Sequence, residues 1–265
     1  MSARLAVLGS PIAHSRSPLL HAAAAEVLGL DWDYQRIEAT EQSLPGVVAG
    51  LGPEWVGLSL TMPLKRAVLP LIADHAPLVD RLGLANTVRL GERPHLANTD
   101  VGGIEVVLAA HAGARSGVVL GGGATAASAL EALGRLGVRE RIVAARRPDV
   151  AALQLAGHAE RFVSLATVDL THAEVVVSTL PGHAETVVRL PAAVPGTPLL
   201  DVAYDPWPTA LGTRWLAAGG RLLHGLDMLI EQAVLQVRIF TDADPDVAMV
   251  QEDEIRAAMR EAVHR

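Results

Sequence analysis

A two-domain α/β fold is what the sequence predicts, and three observations carry it. An apolar strand at 117–120 runs into Gly121-Gly122-Gly123-Ala124-Thr125-Ala126, a turn that opens a helix of small residues. That G-x-G-x-x-A pattern lies near residue 120, so a separate body must occupy the residues before it. Strand-like and helix-like patterns alternate through those first hundred residues, then restart after residue 116 as a second βα series. At 265 residues the chain suits two domains of about 100–150 residues each.

In the first body, strands are expected at Leu5–Leu8, Tyr34–Ile37, Val56–Leu60 and Thr87–Leu90. Helices are expected at Leu19–Leu28, Gln42–Leu51 and Leu64–Ile72, with Pro70 ending or kinking the last. The second body reads as strand 117–121, helix 124–136 stopped by Gly137, strands at 141–145, 174–179 and 198–203, helix 209–217 and strand 221–223. A periodic helix then runs from Gly225 to Phe240, and another from Val247 to Val263 with Asp246 as its N-cap. The crossing near 100–103 is expected to be short and helical.

Composition narrows the function. Half the residues are hydrophobic but only 3% aromatic, so the cores are built from Ala, Val and Leu. A net charge of −7, from 22 basic and 29 acidic side chains, gives no electrostatic reason to expect nucleic acid or an anionic membrane as partner. A small ligand is the expected one. With no cysteine, disulfides, thiolate catalysis and Cys-based zinc sites are out, and the ten histidines show no metal-ligand spacing, so no metal is expected. The apolar run Leu5–Leu8 is too short for a signal peptide, and the run around 117–134 is broken by three glycines and Glu131. The protein is expected in the cytoplasm, as a monomer or homodimer.

Several segments carry chemistry. In the glycine turn, Gly121 permits the tight bend, Gly123 lets backbone amides approach a pyrophosphate, and Ala126 lets the helix pack close to the strand. In Gly9–Pro18, Ser15 and Ser17 can donate two hydroxyls to an anion at a helix start, which suits a carboxylate; the plain alternative is a capped helix with Ser17 as N-cap and Pro18 first in the helix. In Gly57–Lys65, Lys65 stands in the first turn of a Pro-started helix, against the dipole, where a merely solvated lysine is poorly placed. Around Asn86 and Asn98-Thr99-Asp100, amides, hydroxyls and a carboxylate at strand ends can grip a polyol, or be simple Asx turns, and Asp100 can pair with Lys65.

After the strand that follows the glycine turn stand Arg146 and Arg147, where an acidic residue would take the ribose diol of NAD. Guanidinium groups suit a 2′-phosphate, so NADP is favoured over NAD, with Asp149 close by tempering this. Tyr204-Asp205-Pro206-Trp207-Pro208 and Gly225–Gln232 are weaker signals, readable as a rigid turn and a core helix.

Taken in order, these segments resemble the shikimate dehydrogenase family over nearly the whole chain. The resemblance implies a substrate domain of residues 1–101 plus 236–265, a Rossmann-type NADP-binding domain of 102–235, and an active-site cleft between them. It implies NADPH-dependent, reversible reduction of 3-dehydroshikimate to shikimate, on the route through chorismate to the aromatic amino acids. Lys65 and Asp100 would then be the catalytic pair, with Ser15, Ser17, Thr61, Asn86, Tyr204 and Gln232 on the substrate. Gly121, Gly122, Gly123, Ala124, Thr125, Ala126, Arg146, Arg147, Thr179, Gly225 and Met228 would hold NADP.

The chain departs from the family pattern at Ser59 and Ala22, where Asn is common, at Ala145-Arg146-Arg147, where Asn-Arg-Thr is common, and in the nicotinamide-side loop Leu180-Pro181-Gly182-His183. Two other readings stay open: a quinate/shikimate dehydrogenase using NAD, and a non-catalytic, nucleotide-binding regulatory paralogue. A folate-directed two-domain dehydrogenase suits Ser15, Ser17, Asn86 and Asp100 less well.

Overall fold

The structure is a computed structural model that describes residues 2–182, 188–192 and 194–264. It divides into two units, residues 1–99 with 230–265 and residues 100–229.

The first unit opens with β1 (Ala3–Gly9), α1 (Ser17–Leu28), β2 (Trp32–Glu38), α2 (Leu44–Ala49) and β3 (Trp55–Leu60). It continues with α3 (Leu64–Ala67), β4 (Asp74–His75), α4 (Pro77–Leu82), β5 (Thr87–Arg89) and β6 (His95–Ala97). Its sheet has the order β2-β1-β3-β5-β6-β4, with β1 parallel to β2 and β3, and β5 antiparallel to its neighbours. Leu5 to Leu8 are all buried, as a central strand covered on both faces requires, whereas the edge strand β2 alternates in exposure. The core gathers Leu8, Leu44, Leu58, Leu60, Leu64, Val68 and Leu96.

The second unit contains α5 (Asp100–Leu108), β7 (Ser116–Leu120), α6 (Ala124–Arg135), β8 (Glu140–Ala145), α7 (Pro148–Gln154) and β9 (Arg161–Ser164). Then come β10 (Val175–Ser178), β11 (Pro198–Asp201), α8 (Ala210–Ala217) and β12 (Arg221–His224). Its described strands pair in parallel, in the order β12-β11-β10-β7-β8-β9. Counted from β7 this is 3-2-1-4-5-6, the doubly wound dinucleotide-binding order, with its switch point between β7 and β10. The core here is Val118, Leu120, Val176, Leu199 and the fully buried Trp215.

α9 (Gly225–Phe240) begins in the second unit and ends in the first, the division falling between Leu229 and Ile230; α10 (Glu252–His264) follows in the first. Gly57 makes room for the end of α9, because a Cβ there would run into the Phe240 ring. α10 packs on α1 and is tied to α9 by two ion pairs, Arg238 with Glu252 at 2.7 Å and Glu231 with Arg256 at 2.9 Å, while Arg256 also pairs with Glu252 within α10 at 3.1 Å.

Three expectations change. The helix foreseen over 64–72 is the single turn α3 followed by a 3₁₀ turn at Leu69–Leu71, since Pro70 has no N–H to continue an α-helix. The last helix starts at Glu252 rather than Val247: Asp244 accepts from the Asp246 N–H at 2.9 Å in an Asx turn, and the Glu252 carboxylate reaches back to the Met249 N–H at 3.2 Å. Ser17 is not the N-cap of α1; Arg16 holds that position and Ser17 is the first helical residue. Strands β4, β6 and β9 and helices α4 and α7 are too short to show a period in the sequence.

His21 on α1 is fully buried, stacked on Tyr34 at 4.2 Å between ring centroids. Its Nδ1–H donates to the Ser17 carbonyl at 2.9 Å, and Nε2 is buried without a partner among the described residues. Burial holds its pKa down at about 4, the bond to Ser17 only partly offsetting that, against 6.5 in a free side chain. The unfolded chain therefore binds the extra proton between pH 6.5 and 4. The stability due to a neutral His21 is complete above 6.5 and is lost as the pH falls to 4, by about 3 kcal/mol. Urea unfolding of wild type and His21→Phe at pH 7 and pH 4.5 measures this; an equal loss of stability in both proteins would refute it.

Candidate functional site

In the first unit, the residues singled out in the sequence gather at the C-terminal ends of the parallel strands, where open α/β sheets bind ligands. The chain leaves β1 at Gly9, and the Ser10 N–H donates to the Met62 carbonyl at 3.0 Å while the Thr61 N–H donates to the Leu8 carbonyl at 2.9 Å. The loop carrying Ser15 and Ser17 and the loop carrying Thr61 are thus neighbours. Ser15 Oγ lies 3.3 Å from both the hydroxyl and the backbone N–H of Ser17. Two β2 side chains hold this loop: the Arg36 guanidinium donates to the Ser15 carbonyl at 2.9 and 2.6 Å, and Glu38 accepts from the Ile12 N–H at 3.1 Å.

Lys65 on α3 is 9% exposed. Its carbonyl accepts from the Ala85 N–H at 2.8 Å, and the Leu60 N–H donates to the Asn86 carbonyl at 2.7 Å, which stitches the lysine turn to the Asn86 segment. The Asn86 side chain accepts from the Thr99 N–H at 2.8 Å and faces Gln232 Oε1 of α9 at 3.4 Å. The structure thus brings Asn86, Thr99 and Gln232 into one buried cluster. Asp100 follows Thr99 directly and opens α5.

In the second unit most of the residues expected to hold the cofactor group around the end of β7. Gly121 has φ +123°, and a Cβ there would strike Thr179 Oγ1. Thr179 is anchored by its N–H to the Leu120 carbonyl at 2.8 Å. Gly122 lies against Ala145 and Ala151, so the end of β8, with the exposed Arg146 and Arg147, borders the same turn. A Cβ built on Gly123 meets no described atom within 4 Å, and among the described residues no side chain caps α6. Together with Ala124, Thr125 and the buried Ala126, this open turn at a helix start fits a pyrophosphate, and the arginines fit a 2′-phosphate.

Elsewhere in this unit, Tyr204 lies half-buried in the loop after β11, and Gly225 and the buried Met228 open α9. A small pocket between β10 and β11 is lined by Ser178, Leu180, Pro181, Gly182, Asp201 and Thr209. Burial pushes the Asp201 carboxyl up, with the Thr209 hydroxyl opposing, and that hydroxyl also caps α8 through the Gly212 N–H at 3.0 Å. His183 of the nicotinamide-side loop lies outside the described residues.

Sequence reasoning missed Tyr34, Arg36 and Gln236, and took Thr87 only as part of the polar segment around Asn86. Tyr34 donates to Ser59 at 2.6 Å, and Ser59 to Gln236 at 2.8 Å, which gives the serine at position 59 its use. Gln236 was visible as a second glutamine four residues after Gln232 in an apolar helix. Arg36 carried no signal, since a charge on an edge strand reads as solvated.

Among the described residues no helix is long and apolar enough to cross a membrane, and no group of three His, Cys, Asp or Glu side chains is placed to hold a metal.

Fold and site together define a class: a two-unit α/β protein with a doubly wound, dinucleotide-type sheet and a second sheet whose strand ends carry a buried lysine beside a polar cluster. Residues 7–88 match the model of the shikimate dehydrogenase substrate binding domain, and residues 225–252 that of the shikimate 5′-dehydrogenase C-terminal domain. Shikimate dehydrogenase (NADP(+)) of Citrifermentans bemidjiense is 34% identical over 260 residues, 90% of each chain. The crystal structure of Mycobacterium tuberculosis shikimate dehydrogenase is 43% identical, with 98% of each chain covered and a TM-score of 0.81. That of Thermus thermophilus shikimate 5-dehydrogenase, in complex with NADP(H) and shikimate, is 32% identical over 99% of this chain and 100% of its own, with a TM-score of 0.83. The chain belongs to the shikimate dehydrogenase family.

Proposed function

We propose that this protein catalyses the reversible, NADPH-dependent reduction of 3-dehydroshikimate to shikimate in the cytoplasm, as a monomer or homodimer. The observation that carries the reading is the buried Lys65 beside the Asn86–Thr99–Gln232 cluster at the strand ends of the first unit. We assign substrate binding to that unit and cofactor binding to the second.

NADPH, when bound, supplies the hydride that reaches the ketone carbon. Gly121 to Ala126 bind its pyrophosphate through backbone N–H groups, Arg146 and Arg147 take the 2′-phosphate, and Thr179, Gly225 and Met228 line the nicotinamide side. Ser15 and Ser17 hold the substrate carboxylate, while Thr61, Asn86, Gln232 and Tyr204 hold its ring hydroxyls and carboxylate edge. Lys65 stabilises the negative charge that develops on the ketone oxygen and gives it a proton. Asp100 orients the ammonium and the reacting hydroxyl. In the reverse direction, Lys65 Nζ accepts the proton from the C3 hydroxyl.

The test is steady-state absorbance of NADPH formed from shikimate or quinate, each with NADP⁺ and NAD⁺. Shikimate with NADP⁺ is expected to have the highest kcat/KM. A higher value for quinate with NAD⁺ would replace this reading by the quinate one, and binding without turnover by the regulatory one.

A further inference from the structure

A line of side-chain hydrogen bonds runs through the interior of the first unit, and its direction can be read from two backbone groups. The Thr99 backbone N–H can only donate, so the Asn86 atom 2.8 Å from it is Oδ1, and Asn86 Nδ2 faces Gln232. The Asn86 backbone carbonyl can only accept, so the Gln236 atom 3.3 Å from it is Nε2. Both amides are thereby oriented by groups that have no alternative role.

Everything between them follows. Gln236 turns Oε1 to Ser59, whose hydroxyl must donate to it at 2.8 Å, and Ser59 in turn accepts from the Tyr34 hydroxyl at 2.6 Å. On its other side Gln236 Nε2 donates to Thr87 Oγ1 at 3.1 Å, and Thr87 passes its own proton to Asn86 Oδ1 at 2.9 Å. Asn86 Nδ2 donates to Thr99 Oγ1 at 2.9 Å and points to Gln232 Oε1 at 3.4 Å, which leaves the Nε2 protons of Gln232 on the side away from Asn86. From Tyr34 to Gln232 each member donates in the same sense, an arrangement in which every bond polarises the next. Gln236 is 1% exposed and Thr87 fully buried, so neither can exchange its partner for water.

We propose that Thr87 and Gln236 are positioning residues that lock the Asn86 and Gln232 amides as donors toward the hydroxyl oxygens of the substrate. The inference rests on the function proposed above and extends it to residues that do not touch the substrate. Without the Thr87 hydroxyl, Asn86 Oδ1 keeps the Thr99 N–H but loses the donor at 2.9 Å, so the amide is held less firmly in the orientation that turns Nδ2 towards the ligand.

The experiment compares Thr87→Val, Thr87→Ser and Gln236→Met with wild type in shikimate oxidation, with thermal unfolding in parallel. Thr87→Val and Gln236→Met are expected to raise the KM for shikimate by about tenfold or more, with the KM for NADP⁺ within about twofold. Thr87→Ser, which restores the hydroxyl, is expected to return the shikimate KM to within about threefold of wild type. A shikimate KM that stays at the wild-type value in folded Thr87→Val and Gln236→Met, or the two KM values rising together, overturns the proposal. Indifferent variants of an active wild type sink this inference alone; a wild type that oxidises no shikimate takes the proposed function down with it.

Discussion

Lys65→Met is expected to lower kcat for shikimate oxidation by about 10²- to 10⁴-fold, the range a positioned acid–base group contributes. The methionine matches the length of the lysine stem and suits a position that is 9% exposed, so the loss would report the ammonium rather than a cavity. Lys65→Arg separates the two tasks assigned to the group. A guanidinium keeps the positive charge near the ketone oxygen but does not give up a proton at working pH, so a variant as slow as Lys65→Met points to proton transfer. A variant recovering most of the rate points to charge alone. Asp100→Asn, which removes the orienting charge at nearly constant shape, should cost a smaller factor, in kcat more than in KM. The fall in Lys65→Met should likewise appear in kcat, because the developing oxyanion exists only in the transition state. Activity of folded Lys65→Met within tenfold of wild type would remove Lys65 from the chemistry.

Arg238→Met is expected to destabilise the protein by about 3–5 kcal/mol, towards the lower figure. Both partners are inside the protein: the side chain of Arg238 is 11% exposed and that of Glu252 is 8% exposed. Arg238 meets the two carboxylate oxygens at 2.7 and 2.8 Å and the Pro245 carbonyl at 2.8 Å. Burial by itself pushes the Glu252 carboxyl up, but hydrogen bonds from Arg238 and from the Met249 N–H outweigh it and hold the group below the usual range. With its folded pKa depressed, Glu252 contributes stability that is complete above the unfolded value of 4.5 and fades as the pH falls through the lower folded value.

Removing Arg238 leaves a buried carboxylate with Arg256 as its remaining cation, and that surviving partner is why the lower figure is expected. The double variant Arg238→Met/Glu252→Met should regain much of the loss, since a buried pair replaced by apolar residues of similar size is often near neutral. Urea unfolding at pH 7 measures both. A single variant within about 1 kcal/mol of wild type, or a double variant no better than the single, would contradict the account. The consequence is functional, because α9 carries Gln232 and Gln236 and the Arg238–Glu252 pair sets its C-terminal half against α10.

Where the sequence was easily read, a single physical requirement dominated. Parallel strands buried on both faces announce themselves as apolar runs, and β1, β3, β7, β8 and β10 fell close to where they were expected. The glycine turn was legible because few residues tolerate a φ of +123° against a neighbouring strand end. Short elements such as β4, β6 and α7 offered too little length for a period to show. The final helix was placed too early because Asp246, a good N-cap by type, is engaged in a local turn that the later acid Glu252 stabilises.

By itself, the sequence determined the two-part α/β plan, the phosphate-type turn and the set of polar residues placed at strand ends, because each is a property of a contiguous segment. Only the tertiary structure decided which of those residues share a cluster and which way their amides face. Asn86 and Gln232 are 146 positions apart, and the hydrogen bonds that orient them pass through Thr87, Gln236, Ser59 and Tyr34, which come from separate strands and a late helix. Hydrogen-bond direction in a buried network depends on every partner at once, and no stretch of chain holds all of the partners.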